Sequence, residues 1–380
     1  MKILYTNTDG GHRSVLEPES GRRENLSQKG AERTSFLGLT DGGRCAFYSK
    51  VRYSLREDMA RKLQYRFYLK DLISGKTEEL FTNWDRSAFQ VNTAIPMRDG
   101  RFFIIASRTY EENFACIASR DGSRVQELWT TSGYPYGFAE APQGGMFACH
   151  MALDDPEFNP GENVYSINTV SMDGTRRLVY GGAGKLCFGP VWSPDGKWLA
   201  FQVYTTAEDP GHHFGDVMIC REDGSEARQL GPEKSHYGAT AYGLRDFRAG
   251  GTNWVQWTPE GKVLTSRMLP GSHPDCRFDA SQANHEELVY DPSAGKGGCG
   301  FTEIDPVTGE ETVLTPAVEG QWDFRAVFSP DGGKMLFTRC RFGEAAGLYL
   351  MDRKTGDIRF LTDGENHHGA DHGAFLDMPE

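Results

Sequence analysis

VWSPDGKWLAFQVY at 191–204 and, after a polar segment holding His212 and His213, DVMICREDGSEARQLG at 216–231 spell out one structural unit. Val-Trp-Ser runs into a Pro-Asp-Gly turn, and KWLAFQVY leaves it. DVMIC, the turn REDG and EARQL complete the unit. Each apolar run is short and is bounded by Asp, Gly or Pro, and none carries a helical period. Such runs are strand and hairpin signals. The unit reads as four short antiparallel strands, A to D.

The same punctuation recurs along the chain. Turns joining A to B fall at Thr40–Gly43, Arg98–Gly100, Pro142–Gly145, Ser193–Gly196, Thr258–Gly261 and Ser329–Gly332. Turns joining C to D fall at Glu17–Gly21, Asp71–Gly75, Arg120–Gly122, Met172–Gly174, Glu222–Gly224, Asp305–Gly309 and Asp352–Gly356. Six of the first kind stand against seven of the second. The tail, His372–Met378, reads as an A strand with no B strand after it, and the head, Lys2–Asn7, as a B strand with no A strand before it. Joined, they complete a seventh blade and remove an exposed sheet edge. The predicted fold is all-β: a single seven-bladed β-propeller over residues 1–380, its last blade closed by the N-terminal and C-terminal strands, with a long insert at 269–300.

Composition agrees. Gly 45 and Pro 18 in 380 residues supply many turns, and aromatics at 12% supply large side chains for packing short strands. A formal charge of -12 argues against a nucleic-acid or anionic-membrane partner. The opening MKILYTNTDGG lacks the apolar core of a secretory leader, and no run has the length of a membrane helix. The eight cysteines form no CxxC pair and sit mostly in apolar strand patterns, which points to free thiols in a reducing cytoplasm.

Function is expected on one face. A-to-B and C-to-D turns are tight, while the B-to-C and D-to-A connections are long, and long loops in a compact domain are commonly functional. All ten histidines fall in those connections or at the strand ends beside them. His150, His368, Asp371 and His372 are the candidate ligands for a divalent metal (Mn, Zn or Ca), since imidazole with carboxylate suits such ions. The segment SHYGATAYGLRDFR at 235–248 offers His236, Tyr237 and Arg245, which join His213 as candidate catalytic groups. Tyr242, Arg248, Trp322, Arg325 and Arg277 are candidate substrate contacts: aromatic faces for the apolar side of a sugar, guanidiniums for its acid. The alternative for each is structural, as padding between blades or as an ordinary ion pair. The insert at 269–300 reads as a lid or an oligomer contact; its SAGKGGCG lacks the ending of a phosphate loop.

WSPDGKWLAF at 192–201, FSPDGGKMLF at 328–337 and LYLMDRKTGDIRFLTDG at 348–364 resemble the repeats of TolB-type, WD40-like propellers. Blades of this kind also occur in prolyl oligopeptidase and tricorn-type proteins, and they resemble the propeller of the cytoplasmic oligogalacturonate lyases. The lyase resemblance implies β-elimination on a small acidic oligosaccharide built from uronic acids. In that family a His-x-His pair just before the F-S/T-P-D turn binds metal; here Asp323 and Arg325 stand at the matching positions, and Trp254 and Asp216 stand where the base and arginine would be. Hence the expectation is a carbohydrate-active enzyme, a lyase ahead of a hydrolase. The alternative is a non-catalytic propeller that binds a protein or peptide across the same mouth.

Overall fold

The computed structural model describes residues 1–9, 13–25, 32–40, 44–52, 64–85, 90–108, 113–131, 135–153, 164–182, 185–204, 214–237, 241–250, 253–278 and 288–376. Among them the regular elements are all strands, the exception being a single 3-10 turn at Glu365–His367. No helix among the described residues is long and apolar enough to cross a membrane.

The unit read from the sequence is present. Leu186–Trp192, Leu199–Tyr204, Phe214–Cys220 and Arg228–Gln229 pair in that order, antiparallel. Three groups form separate four-stranded sheets: Glu32–Thr40 through Thr77–Glu79, Gln90–Pro96 through Val125–Thr131, and a sheet made from both chain ends. In the last, Lys2–Asn7 pairs with Arg13–Glu17 on one side and with Ala370–Leu376 on the other, in the register Ile3↔Phe375. The remaining groups follow one another within a seventeen-stranded sheet. Single parallel bridges, Tyr165↔Leu186 and Cys299↔Trp322, link neighbouring groups there.

The chemistry of the turns explains the recurrence of S-P-D-G. Ser193 Oγ donates to Asp195 Oδ1 at 2.6 Å and accepts the Trp198 N–H at 2.9 Å. Ser329 repeats this with Asp331 at 2.6 Å and the Lys334 N–H at 2.8 Å. The glycine closing each turn takes the left-handed conformation, φ 69° at Gly196 and 72° at Gly332.

Burial rises from the outer strand inward. Leu199–Tyr204 and Asn113–Ala118 are buried at every residue, because sheets cover both their faces. The outer strands Arg22–Asn25 and Glu311–Val313 are exposed throughout. Apolar clusters sit between consecutive groups. Phe47, Phe67 and Phe81 pack on Phe102 and Ile104, Phe103 on Phe147, Ile167 on Phe201, Ile219 on Val263, and Phe301 on Phe337. Ile3, Tyr5 and Leu16 then meet Leu336, Leu348 and Leu350, while Leu4 and Val15 meet Leu72. Two tryptophans add a directional tie: Trp192 Nε1 donates to Ala139 O at 2.9 Å, and Trp257 Nε1 donates to Val191 O at 3.0 Å, each reaching the first strand of the preceding group.

Two hairpins stand outside the repeat. Ala241–Leu244 turns through Arg245-Asp246 into Phe247–Gly250. Cys276–Phe278 pairs with Leu288–Tyr290 inside the long insert. The insert folds back on its own chain, through Leu269 N–H to Gly298 O at 2.9 Å and the His273↔Lys296 bridge.

Because Ile3 is fully buried between the terminal sheet and its neighbour, Ile3→Ala is expected to cost about 2–5 kcal/mol. Val313→Ala, on an outer strand at 63% exposure, is expected to change stability by under about 0.5 kcal/mol. Urea unfolding of the two variants checks the contrast.

Candidate functional site at the bulges of the first strands

The first strand of a group is interrupted at one place. Register shifts fall between Phe36 and Gly38, Val91 and Thr93, Tyr136 and Ala139, Phe188 and Val191, and Phe324 and Val327. A further shift falls opposite Leu4 and Thr6, within Ala370–Leu376. An extra residue bends the strand and re-aims its side chain, as bulges beside functional sites do. Two glycines take the left-handed conformation at these points, Gly137 and Gly189, both at φ 60°. Arg325 (φ 54°) and His372 (φ 52°) take it with full side chains. That conformation costs a non-glycine residue about 1–2 kcal/mol, and strain of this kind concentrates where side-chain placement is under functional demand.

Arg325 and His372 belong to adjoining first strands and share one carboxylate. The Arg325 guanidinium pairs with Asp371. Thr338 Oγ1 donates to Asp371 Oδ1 at 2.9 Å, and the His372 N–H reaches the same oxygen at 2.7 Å. His372 Nε2 lies 3.8 Å from Oδ2, with its side chain 47% exposed. Burial pushes the Asp371 pKa up, but the charges of Arg325 and His372 and their hydrogen bonds outweigh it, and the carboxyl stays below its ordinary value. Arg13 lies in the same field. Burial lowers its pKa to about 10, against the attraction of Asp371 and with the repulsion of Arg325.

Asn253 joins this cluster to an aromatic one. Its Oδ1 accepts the Arg325 N–H at 2.8 Å, and its Nδ2 donates to His236 O at 2.8 Å and to Ser266 Oγ at 3.0 Å. The next residue, Trp254, stands four before Thr258, as Gly189 stands four before Ser193 and Arg325 four before Ser329. The Trp254 indole lies over the glycines: a Cβ on Gly189 would meet its Cγ at 2.5 Å, and one on Gly137 would meet its Cη2 at 3.1 Å. The His150 ring meets the indole edge-on, with centroids 6.1 Å apart at 88°. His150 Nδ1 accepts the Gly189 N–H at 3.3 Å, so the imidazole is neutral with its proton on Nε2. Burial alone pushes its pKa down to about 3. Tyr237, packed among Phe188, Tyr204 and Trp254, has its phenol pushed up by burial.

The other residues expected from the sequence are placed apart from this row of bulges. His213 lies outside the described residues, as do His12, His212 and His285. His236 and Tyr242 meet Nε2 to hydroxyl at 2.6 Å, and Tyr242 stacks on Trp322 at 5.1 Å. Tyr242 is 1% exposed and Trp322 0%. Both are buried, and their contacts anchor the Ala241–Leu244 hairpin. Arg248 is engaged by Asp275 and lies over the Tyr290 ring at 4.8 Å, tying the two hairpins together. Arg245 is exposed at the hairpin tip. Arg277 is 59% exposed and 3.6 Å from Asp291. His368 stacks on Phe247 at 3.8 Å and faces Asp9 at 3.0 Å. Arg13 and Trp254 were not among the sequence candidates as binding groups; the fixed distance of Trp254 from its turn was the available signal.

Comparison with family models and with curated proteins gives no match. Solved structures do match. An oligogalacturonate lyase in complex with manganese shares 14% identity over 94% of this chain and 83% of its own, with a TM-score of 0.56. The oligogalacturonate lyase of Vibrio parahaemolyticus shares 12% over 95% and 84%, with a TM-score of 0.56. A puromycin-hydrolyzing peptidase of Mycobacterium tuberculosis shares 15% over 95% of this chain and 50% of its own, with a TM-score of 0.57; the chain spans about half the length of that peptidase. At these identities the likeness is one of fold: the chain is an all-β protein of the β-propeller type, similar in architecture to the oligogalacturonate lyases.

The manganese of that neighbour raises the question of a metal here. His150 faces an aromatic cage, His368 is turned to Asp9, and Asp371 is held by Arg325 and Thr338. Among the described residues no three His, Cys, Asp or Glu side chains come together as a metal ligand set. These four donors do not fit a shared divalent ion.

His150 generates a pH prediction. Its folded pKa of about 3 lies below the ordinary 6.5. The unfolded chain therefore binds the extra proton first as pH falls, so the stabilisation is complete above about pH 6.5 and is lost progressively toward pH 3. From pH 7 to pH 5 the loss is expected to be about 2 kcal/mol. His150→Phe should flatten that part of the profile in urea titrations.

Proposed function

We propose that this chain is a seven-bladed propeller, closed by its two end strands, whose channel mouth binds a small acidic oligosaccharide and cleaves it by β-elimination. Support for the ring comes from three four-stranded sheets with four successive four-stranded runs, and from apolar clusters that lead from each group to the next and from Leu72 back to Leu4. In such a ring the bulged first strands line the central channel.

The observation that carries the functional reading is the pair of strained residues, Arg325 and His372, set on one buried carboxylate. Arg325 and Arg13 together outweigh the charge of Asp371, and the net positive field attracts a sugar carboxylate and acidifies its neighbouring C–H. The half-exposed His372 imidazole takes that proton. The released electron pair forms the carbon–carbon double bond, and the 4-linked sugar departs as an alcohol after taking a proton from water. Asp371 orients the imidazole and compensates the charge it acquires. A hydrolase would need two carboxylates flanking the bond; Asp371 and Asp323 are each already held by an arginine, the latter by Arg339 at 2.6 and 2.8 Å. The eight cysteines are buried and none is joined in a disulfide, which supports a reducing, cytoplasmic setting.

Incubation with tri-galacturonate, followed by ultraviolet absorbance of the unsaturated product, tests the reading. Turnover is expected, with His372→Asn lowering kcat about 10²–10⁴-fold while binding persists. Binding without product would favour the non-catalytic propeller, and neither binding nor product would sink both.

A further inference from the structure

We infer that Trp254 is the platform for a pyranose ring, its indole taking the C–H face of the sugar while the Arg325 side of the site takes the acid. The sugar class rests on the function proposed above; the platform rests on geometry of its own.

Three observations carry it. First, Trp254 holds the position, four residues before its turn, where the preceding group has Gly189. The indole is bedded against Gly189 and Gly137, and a Cβ on Gly189 would collide with it at 2.5 Å. A flat bed of backbone under one face fixes the ring plane. Second, the rest of the ring is held at its edges. His150 meets it perpendicularly, and Tyr237, Phe188 and Tyr204 pack beside it. The residue nevertheless remains partly exposed, although its indole Nε1 is buried. A large, rigid, partly exposed aromatic loses little conformational entropy when a ligand stacks on it. Third, the platform is tied to the charged cluster, because the Arg325 N–H is bonded to Asn253, the residue next to Trp254. An apolar ring and a cationic group thereby sit in neighbouring groups, which is the pairing a uronic acid presents: a C–H face with a carboxylate at its edge.

A bulky aromatic that only filled the interior would not make affinity depend on the ligand's sugar ring. The test therefore measures ligand affinity and not stability alone. D-galacturonate, methyl β-D-galactoside and acetate are titrated calorimetrically into the full chain and into Trp254→Leu and Trp254→Phe. Trp254→Phe keeps a ring in the same cage and serves as the folded control. Galacturonate affinity is expected to fall roughly tenfold in Trp254→Leu and by less in Trp254→Phe. Acetate, which has no C–H face, should bind all three forms alike. Unchanged galacturonate affinity in both variants overturns the platform and leaves the acid reading standing. Equal, Trp254-dependent binding of galacturonate and the neutral galactoside upholds the platform and removes the acid from the proposed function. Absence of binding by every probe to the unmodified chain overturns both.

Discussion

The left-handed bulge in the first strand is the constraint from which the site follows. In a regular strand successive side chains alternate between the two faces of a sheet, and here both faces are buried by neighbouring groups. Only an irregularity can turn a side chain out of that alternation and along the inner edge of the sheet. Glycine adopts the needed φ without penalty, at 137 and 189, and there the bulge leaves room. Arginine and histidine adopt it against a cost, at 325 and 372, and there the bulge delivers charge. One backbone device, repeated in the inner strands, thus makes both the glycine bed under Trp254 and the charged cluster of Arg325 and His372.

Two buried carboxylates show how strongly placement decides charge. Asp371 and Asp323 are both nearly inaccessible and both paired with arginine. For Asp323 burial prevails over the Arg339 pair, and the acid is held above its ordinary value. For Asp371 the fields of Arg325 and His372 and the His372 N–H prevail, and it is held below. Asp323 loses stabilisation as pH rises through its folded pKa, whereas the Asp371 contribution is lost as pH falls through its own. The two acids oppose one another: Arg325 and His372 outweigh burial at Asp371, whereas Arg339 and Arg341 do not outweigh it at Asp323.

The hairpins serve a different purpose. Tyr242 sinks beneath the surface onto Trp322 and His236, Arg248 clasps Asp275, and Phe247 lies flat on His368. These contacts use much of the aromatic and basic chemistry of the segment 235–248 to fasten a long connection down. A run rich in Tyr, Arg and His satisfies an anchoring role as readily as a binding one, and residue type alone does not separate them.

What the chain determined by itself was the repeat: short apolar runs, the Ser and Asp side chains that cap each turn, the glycine that closes it, and a head and tail that needed one another as strands. Those are local properties, fixed by hydrogen bonds within a few residues, and so they are legible in a string. The pairing of Lys2–Asn7 with Ala370–Leu376 was inferable from counting turns because strand edges demand partners. The tertiary structure alone decided which aromatics keep an outer face and which arginines are consumed by carboxylates. Trp322 and Trp254 look alike in sequence, yet one is sealed under a hairpin and the other stays partly exposed against two glycines of preceding groups. Burial and charge balance are set by residues far apart in the chain, and only the folded arrangement brings their contributions to the same place.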